Sequence, residues 1–164
     1  MVEMELKVVS ISVPKESQLI VGTSHFIKTV EDVAEVLKTS VPNVKFGVGF
    51  CEASGKCLVR TEGNDADLRK EAAKSALELG AGHSFVVFLQ GAFPINVLNA
   101  LKMIPEVCSI HCATANPVQV ILAETEQGRG ILGVVDGHFS KGIENEKDVI
   151  ERRRFLRDLG YKLS

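Results

Sequence analysis

Gly128-Arg129-Gly130-Ile131-Leu132-Gly133 fits the dinucleotide-binding pattern G-x-G-x-x-G letter for letter, and its reading decides the fold. A working fingerprint follows a strand and opens a helix, because the helix N-terminus supplies the amides and the dipole that hold a pyrophosphate. The strand is present upstream, in Val118-Gln119-Val120-Ile121-Leu122-Ala123-Glu124. Downstream comes Val134-Val135-Asp136-Gly137, β-branched and closed by a turn dipeptide, so no helix opens there. The stretch predicts a hairpin whose turn, Glu126-Gln127-Gly128-Arg129-Gly130, uses glycine for positive φ. A Rossmann site is set aside, and so is a P-loop, since G-x-x-x-x-G-K-[ST] does not occur.

Outward from that hairpin, strands are expected at about 107–113, 118–124 and 130–136. Upstream, residues 84–89, Ser-Phe-Val-Val-Phe-Leu, are apolar without alternation, as in a central strand covered on both faces. Residues 4–13 alternate like a half-buried strand, and 18–22 form a second short one. Thr29 is placed as the cap of a helix carrying Val30, Val33, Ala34 and Leu37 at helical spacing, with Asp32 as its capping-box partner. Residues 44–62 read as a hairpin turning at Ser54-Gly55-Lys56. Asn64 opens a helix with a narrow stripe of small residues, stopped by Gly80. Pro94 starts another helix, reaching about Met103. The chain ends in a helix from about Asn145 to Leu159, whose apolar arc of Val149, Phe155, Leu156 and Leu159 encloses Arg152, a cation that there calls for a carboxylate, in a structural or intersubunit ion pair, or for a ligand phosphate. These elements predict an α/β fold, a single domain over 1–164 with one mixed β-sheet and helices packed on it.

Composition excludes several function classes. The net charge is −2, with 24% charged and 45% hydrophobic residues, which lacks the basic footprint of nucleic-acid binding. No apolar run approaches a membrane span, and acids stand where a signal peptide needs bases, so a cytoplasmic protein is expected. Cys51, Cys57, Cys108 and Cys112 are read as free thiols; Cys108, His111 and Cys112 make a poor metal set, because neighbours on a strand face opposite ways. No metal site is expected.

Five blocks together resemble the small archaeal and bacterial adenosine-specific kinases. They are Cys51-Glu52-Ala53-Ser54-Gly55, the run Arg60 to Asp65, the run Ala113 to Ile121, the run Gly128 to Gly137, and Asp158-Leu159-Gly160-Tyr161-Lys162. The resemblance covers residue 5 to the end and implies a compact α/β domain, a homotrimer, and adenosine or AMP as ligand. It implies no known ATP cradle, and this chain has none.

Phosphoryl transfer calls for a nucleophile or acceptor and for cations around the phosphate; Mg²⁺ is the candidate cofactor should transfer occur. His25, between a strand and the helix behind Thr29, is the candidate for a phosphohistidine, with Lys28 and the helix N-terminus supplying positive potential. It also reads as a plain loop histidine. Glu52, in an apolar strand, needs a partner: a ligand hydroxyl or Arg60 across the hairpin. Ser54 and Gly55 offer backbone amides beside it. Asn64 and Asp65 are ligand candidates and also helix caps. Gln90 and Gly91 lie beyond the carboxyl end of the apolar strand, where α/β sheets favour ligands. Asn116, extended by Pro117, could read an adenine edge. Asp136 and Arg129 complete the set, each readable as turn or surface chemistry. The expectation is an adenosine- or AMP-binding protein acting as a phosphotransferase through His25. The alternatives are a non-catalytic nucleoside sensor, a redox or metal protein, and a structural assembly subunit.

Overall fold

The apolar run at 84–89 forms strand β5 (Ser84–Gln90), in which Phe85 to Leu89 are fully buried. Its side chains alternate between two cores, Val86 and Phe88 to one face, Phe85, Val87 and Leu89 to the other. In this computed structural model, which describes residues 3–163, β5 is the middle of a five-stranded sheet. Met1, Val2 and Ser164, part of the expected 1–164 domain, lie outside the described residues.

The chain order is β1 (Glu5–Ile11), β2 (Gln18–Ser24), α1 (Thr29–Ser40), β3 (Lys45–Cys51), β4 (Val59–Gly63), α2 (Ala66–Leu79) and β5. A 3₁₀ turn (Pro94–Asn96), α3 (Leu98–Lys102), β6 (Val107–Thr114), β7 (Val118–Glu124), β8 (Arg129–Asp136) and α4 (Glu146–Asp158) follow. The large sheet runs β4-β3-β5-β2-β6, and β1-β7-β8 make a second sheet. The α/β class holds, but the single mixed sheet is corrected: there are two sheets, and every strand pair among the described residues is antiparallel. The reason is an insertion. β2 and β3, joined through α1, do run parallel, but β5 enters between them and pairs antiparallel with both.

The hairpin predicted around Gly128 is present, with β7 and β8 in register from Val118↔Asp136 to Glu124↔Arg129, but neither Gly128 nor Gly130 takes the positive φ expected of its turn. Helices α1 and α3 cover one face of the large sheet; α2 and the small sheet cover the other. Helix α2 comes close because Gly47 and Gly49 of β3 carry no side chain. A Cβ on Gly49 would stand 2.4 Å from the Ala72 carbonyl oxygen.

Three local expectations change. Thr29 does not cap α1: Lys28 holds the cap position, and the fully buried Thr29 hydroxyl is used elsewhere. The helix from Pro94 breaks in two after Asn96, whose side chain turns back to accept from the Phe93 amide. The final helix starts where expected, with Asn145 as its cap, but none of its residues is buried, and Arg152 pairs with Glu144 at the surface. No helix of the described residues is long and apolar enough to cross a membrane.

Candidate functional site

Register sorts the residues singled out by the sequence. The seven residues of β5 span about 20 Å at the rise of a strand. At one end, Lys45 of β3 faces Gln90; at the other, Cys51 faces Val59, and Ser84 faces Thr23. His25, Lys28, Glu52, Ser54, Gly55 and Arg129 gather at the Cys51 end. Asn64, Asp65, Gln90, Gly91, Asn116 and Asp136 lie at the opposite end, too far away to share one nucleoside.

At the far end the polar groups serve the chain. Asn64 accepts from the Phe46 amide (2.9 Å) and donates to the Val44 carbonyl (2.8 Å). Asp65 caps α2 through the Leu68 amide. Gln90 donates to the Lys15 carbonyl and the Ser17 hydroxyl. Gly91 takes φ +77°, a turn conformation. Asn116 donates to Asp136 at 3.3 Å. A hollow of about 510 Å³ lies at this end, lined by 11–18, Ala115 and Pro117.

At the near end four loops are laced together. The amide of Ser24 donates to the His83 carbonyl (2.9 Å), that of His25 to the Glu106 carbonyl (2.8 Å), and that of His83 to the Cys51 carbonyl (2.8 Å). Thr29 is the side-chain knot: its hydroxyl donates to the Phe26 carbonyl at 2.6 Å and lies 2.9 Å from the Ser24 hydroxyl and 3.4 Å from Glu106 Oε1. Glu106 is buried, and its Oε2 has no hydrogen-bond partner, with the Lys28 ammonium 3.4 Å away. Lys28 also pairs with Asp32, whose carboxylate raises the lysine's pKa above its ordinary value. The His25 ring is exposed beside Phe26. The amides of Thr29, Val30 and Glu31 already donate to the carbonyls of Phe26, Ile27 and Lys28, so a phosphate beside His25 would meet the Lys28 charge and the helix dipole rather than those amides.

Glu52 lies just past β3. One carboxylate oxygen accepts from Arg60 (2.7 Å) and the other from the Leu58 amide (2.8 Å), and these two bonds, the guanidinium's first, hold its pKa below the ordinary value. Arg60 Nε is buried without a partner. The pair stands at the junction of two hollows. One, of about 680 Å³, runs between Glu52-Ala53, Cys57 to Val59, Gly80, Gly82 and the 125–130 turn. The other, of about 600 Å³, lies between the start of α1, with Lys28 and Glu31, and β4, with Arg60 and Glu62; Val59 lines both. These volumes suit a small ligand. Ser54 and Gly55 form the hairpin turn beyond the crevice, with Gly55 at φ +67°. Arg129 lines the crevice, with its Nε bonded to Glu124 and its Nη1 to the Glu78 and Leu79 carbonyls at the end of α2.

Sequence reasoning missed Glu106, Ser24 and His83. His83 holds a left-handed backbone (φ +63°), rare for a non-glycine residue, with its half-buried ring stacked on Phe50 at 6.0 Å. The alternation of Gly80-Ala81-Gly82 before it was the available signal. Among the described residues no three His, Cys, Asp or Glu side chains converge as a metal would require.

The family model described as "Adenosine specific kinase" matches residues 9–162. Among solved structures, the crystal structure of the PH1918 protein from Pyrococcus horikoshii OT3 is 44% identical, with a TM-score of 0.94 over 99% of this chain and all of that one. No curated protein matches.

Proposed function

Because the chain belongs to the adenosine-specific kinase family, we propose that it binds adenosine or AMP in the crevice beside the β3–β4 hairpin, works as a homotrimer, and passes a phosphate through a histidine at that end of the sheet. The observation that carries the site is the Glu52–Arg60 pair: a buried guanidinium nitrogen without an acceptor, set where two hollows meet. Buried donors are rarely left unmade, so a ligand oxygen is the natural partner. The nucleoside occupies the larger hollow, with its ribose hydroxyls within reach of Glu52. Its 5′ end passes Arg60 toward Lys28 and His25. A Mg²⁺ ion accompanying transfer would meet Asp32 and Glu106, and two carboxylates beside phosphate oxygens is a usual set for that ion. The four unpaired cysteines support a cytoplasmic setting.

His25 is the proposed phosphate carrier, exposed and three residues from Lys28. A second reading assigns that role to His83: its strained backbone sits in the loop whose glycines line the larger hollow, and strain of this kind gathers at functional positions. A non-catalytic sensor would use the same crevice without either histidine.

A thermal-shift panel of adenosine, AMP, ADP, ATP and other nucleosides tests the binding. At 100 times its dissociation constant a ligand stabilises by about 2.7 kcal/mol, so adenosine or AMP should raise the melting temperature while pyrimidine nucleosides leave it unchanged. Labelling with γ-phosphate ATP, mapped by mass spectrometry in wild type, His25→Gln and His83→Gln, assigns the carrier. Binding without any label leaves the sensor; a flat panel removes the proposal.

A further inference from the structure

The start of α1 carries two carboxylates on one ammonium. Asp32 follows Lys28 by one turn and takes its ammonium, an ordinary pair on a helix surface. Glu106, just ahead of β6, brings its Oε2 to 3.4 Å from the same ammonium. The Glu106 side chain is only 4% exposed, and this oxygen has no hydrogen-bond partner. A charge-assisted bond to an ammonium is shorter, about 2.7–2.9 Å, so Lys28 balances the charge of Glu106 without satisfying its oxygen. An unsatisfied buried carboxylate is costly. Lys28 is far less confined: its side chain is 49% exposed on a flexible stem. The other oxygen, Oε1, lies 3.4 Å from the Thr29 hydroxyl, so the carboxylate is steadied from behind while Oε2 points at the lysine.

We propose that Lys28 is a displaceable counter-ion: its ammonium holds the seat between Asp32 and Glu106 until a nucleoside monophosphate draws it to the phosphate, and only then is the seat open to a divalent cation. Two carboxylates and the oxygens of a phosphate are a sufficient protein contribution for such an ion, which keeps waters in its other positions. Lysine and a divalent ion exclude one another there, because like charges a few ångströms apart repel strongly beside a buried carboxylate. Arg60, across the hollow on β4, does not take the place of Lys28 at Glu106, since it is bonded to Glu52. Glu31 on α1 and Glu62 on β4 line the same hollow, and Glu35 lines the hollow on the other side of Asp32, so the surrounding field favours a cation at this point. Phosphate and divalent ion therefore bind as a pair, each strengthening the other by the same factor. This inference rests on the proposed nucleotide orientation, with its phosphate toward Lys28, and adds what controls entry of the cation.

Manganese(II) is the probe, because the paramagnetic resonance signal of the free ion reports binding without any need of activity. Full-length wild type, Lys28→Met, Glu106→Gln and Asp32→Asn are titrated alone, with AMP and with adenosine, and the binding of manganese to AMP in buffer is subtracted. Circular dichroism verifies folding; should Glu106→Gln misfold, Asp32→Asn, at the more exposed carboxylate, gives the same readout. Wild type alone should bind weakly, and AMP should strengthen binding by about 10- to 100-fold. Adenosine, which has no phosphate, should leave it unchanged. Lys28→Met alone should bind about as tightly as wild type does with AMP, and the two carboxamide variants should lose about 10-fold or more in every condition. The inference is overturned by a Lys28→Met variant that binds no better than wild type, by AMP that binds without strengthening manganese, or by binding that survives in the carboxamide variants. AMP that does not bind at all removes the proposed function instead, and the comparison of Lys28→Met with wild type, each alone, still decides whether the lysine holds the seat.

Discussion

Replacing Thr29 with valine tests whether the candidate site is held by hydrogen bonds or by packing. Valine keeps the shape of threonine and removes only the hydroxyl. Thr29 is fully buried, and its hydroxyl joins the Phe26 carbonyl, the Ser24 hydroxyl and Glu106 Oε1. Without it, the Ser24 hydroxyl, in a residue only 2% exposed, and the buried Glu106 carboxylate each lose a neighbour. A buried polar group left unmade costs about 1–3 kcal/mol, and allowing for relaxation, Thr29→Val should lose about 2–3 kcal/mol. Thr29→Ser keeps the hydroxyl and deletes one methyl, worth about 1 kcal/mol. At roughly 2–4 °C per kcal/mol for a chain of this size, valine should lower the melting temperature by about 5–10 °C and serine by about 2–4 °C. Scanning calorimetry on the three proteins reads this directly. Hydrogen exchange at the His25 amide, bonded to the Glu106 carbonyl, should quicken in the valine variant alone. If the valine variant melts at or above the serine variant, volume and not hydrogen bonding holds the loop, and the knot described here is wrong.

Gly49→Ala should cost about 1–3 kcal/mol, because its Cβ would stand 2.4 Å from the Ala72 carbonyl oxygen and push α2 off the sheet; Gly128→Ala, where the space is open, should be near neutral in the same urea titration. His111, partly buried and bonded to Thr23, is held below its ordinary pKa of about 6.5 by burial. The unfolded chain therefore takes up this proton first, so stability should be full above pH 6.5 and decline as pH falls from there toward the depressed folded value; His111→Gln should flatten that part of the stability curve. Native protein should react rapidly with a disulfide reagent at Cys57 and Cys108, which are exposed. Cys51 and Cys112 should react only on unfolding, since burial raises both thiol pKa values, that of Cys112 to about 11.

The local patterns were legible because they depend on neighbours a few residues apart. Val134-Val135-Asp136-Gly137 after the glycine pattern was enough to exclude a phosphate-binding helix and predict the β7–β8 hairpin, and Gly80 in left-handed conformation ends α2 where the sequence placed it. Thr29 was misjudged for the opposite reason. Threonine three residues before an acid is a cap signature, and only the approach of Ser24 and Glu106, the latter 77 positions away, turns its hydroxyl into a buried tie.

The sequence by itself therefore determined the elements, the two-sided burial of β5, the rejection of a Rossmann or P-loop cradle, and the family resemblance, since each is written in spacing and residue type along a short stretch. Tertiary structure alone decided that β5 inserts between β2 and β3, that the strands divide into two sheets, and that His25, Lys28 and Glu52 stand about 20 Å from Gln90 and Asn64. Strand pairing joins residues by backbone groups that are the same in every amino acid, so periodicity announces a strand without naming its partner.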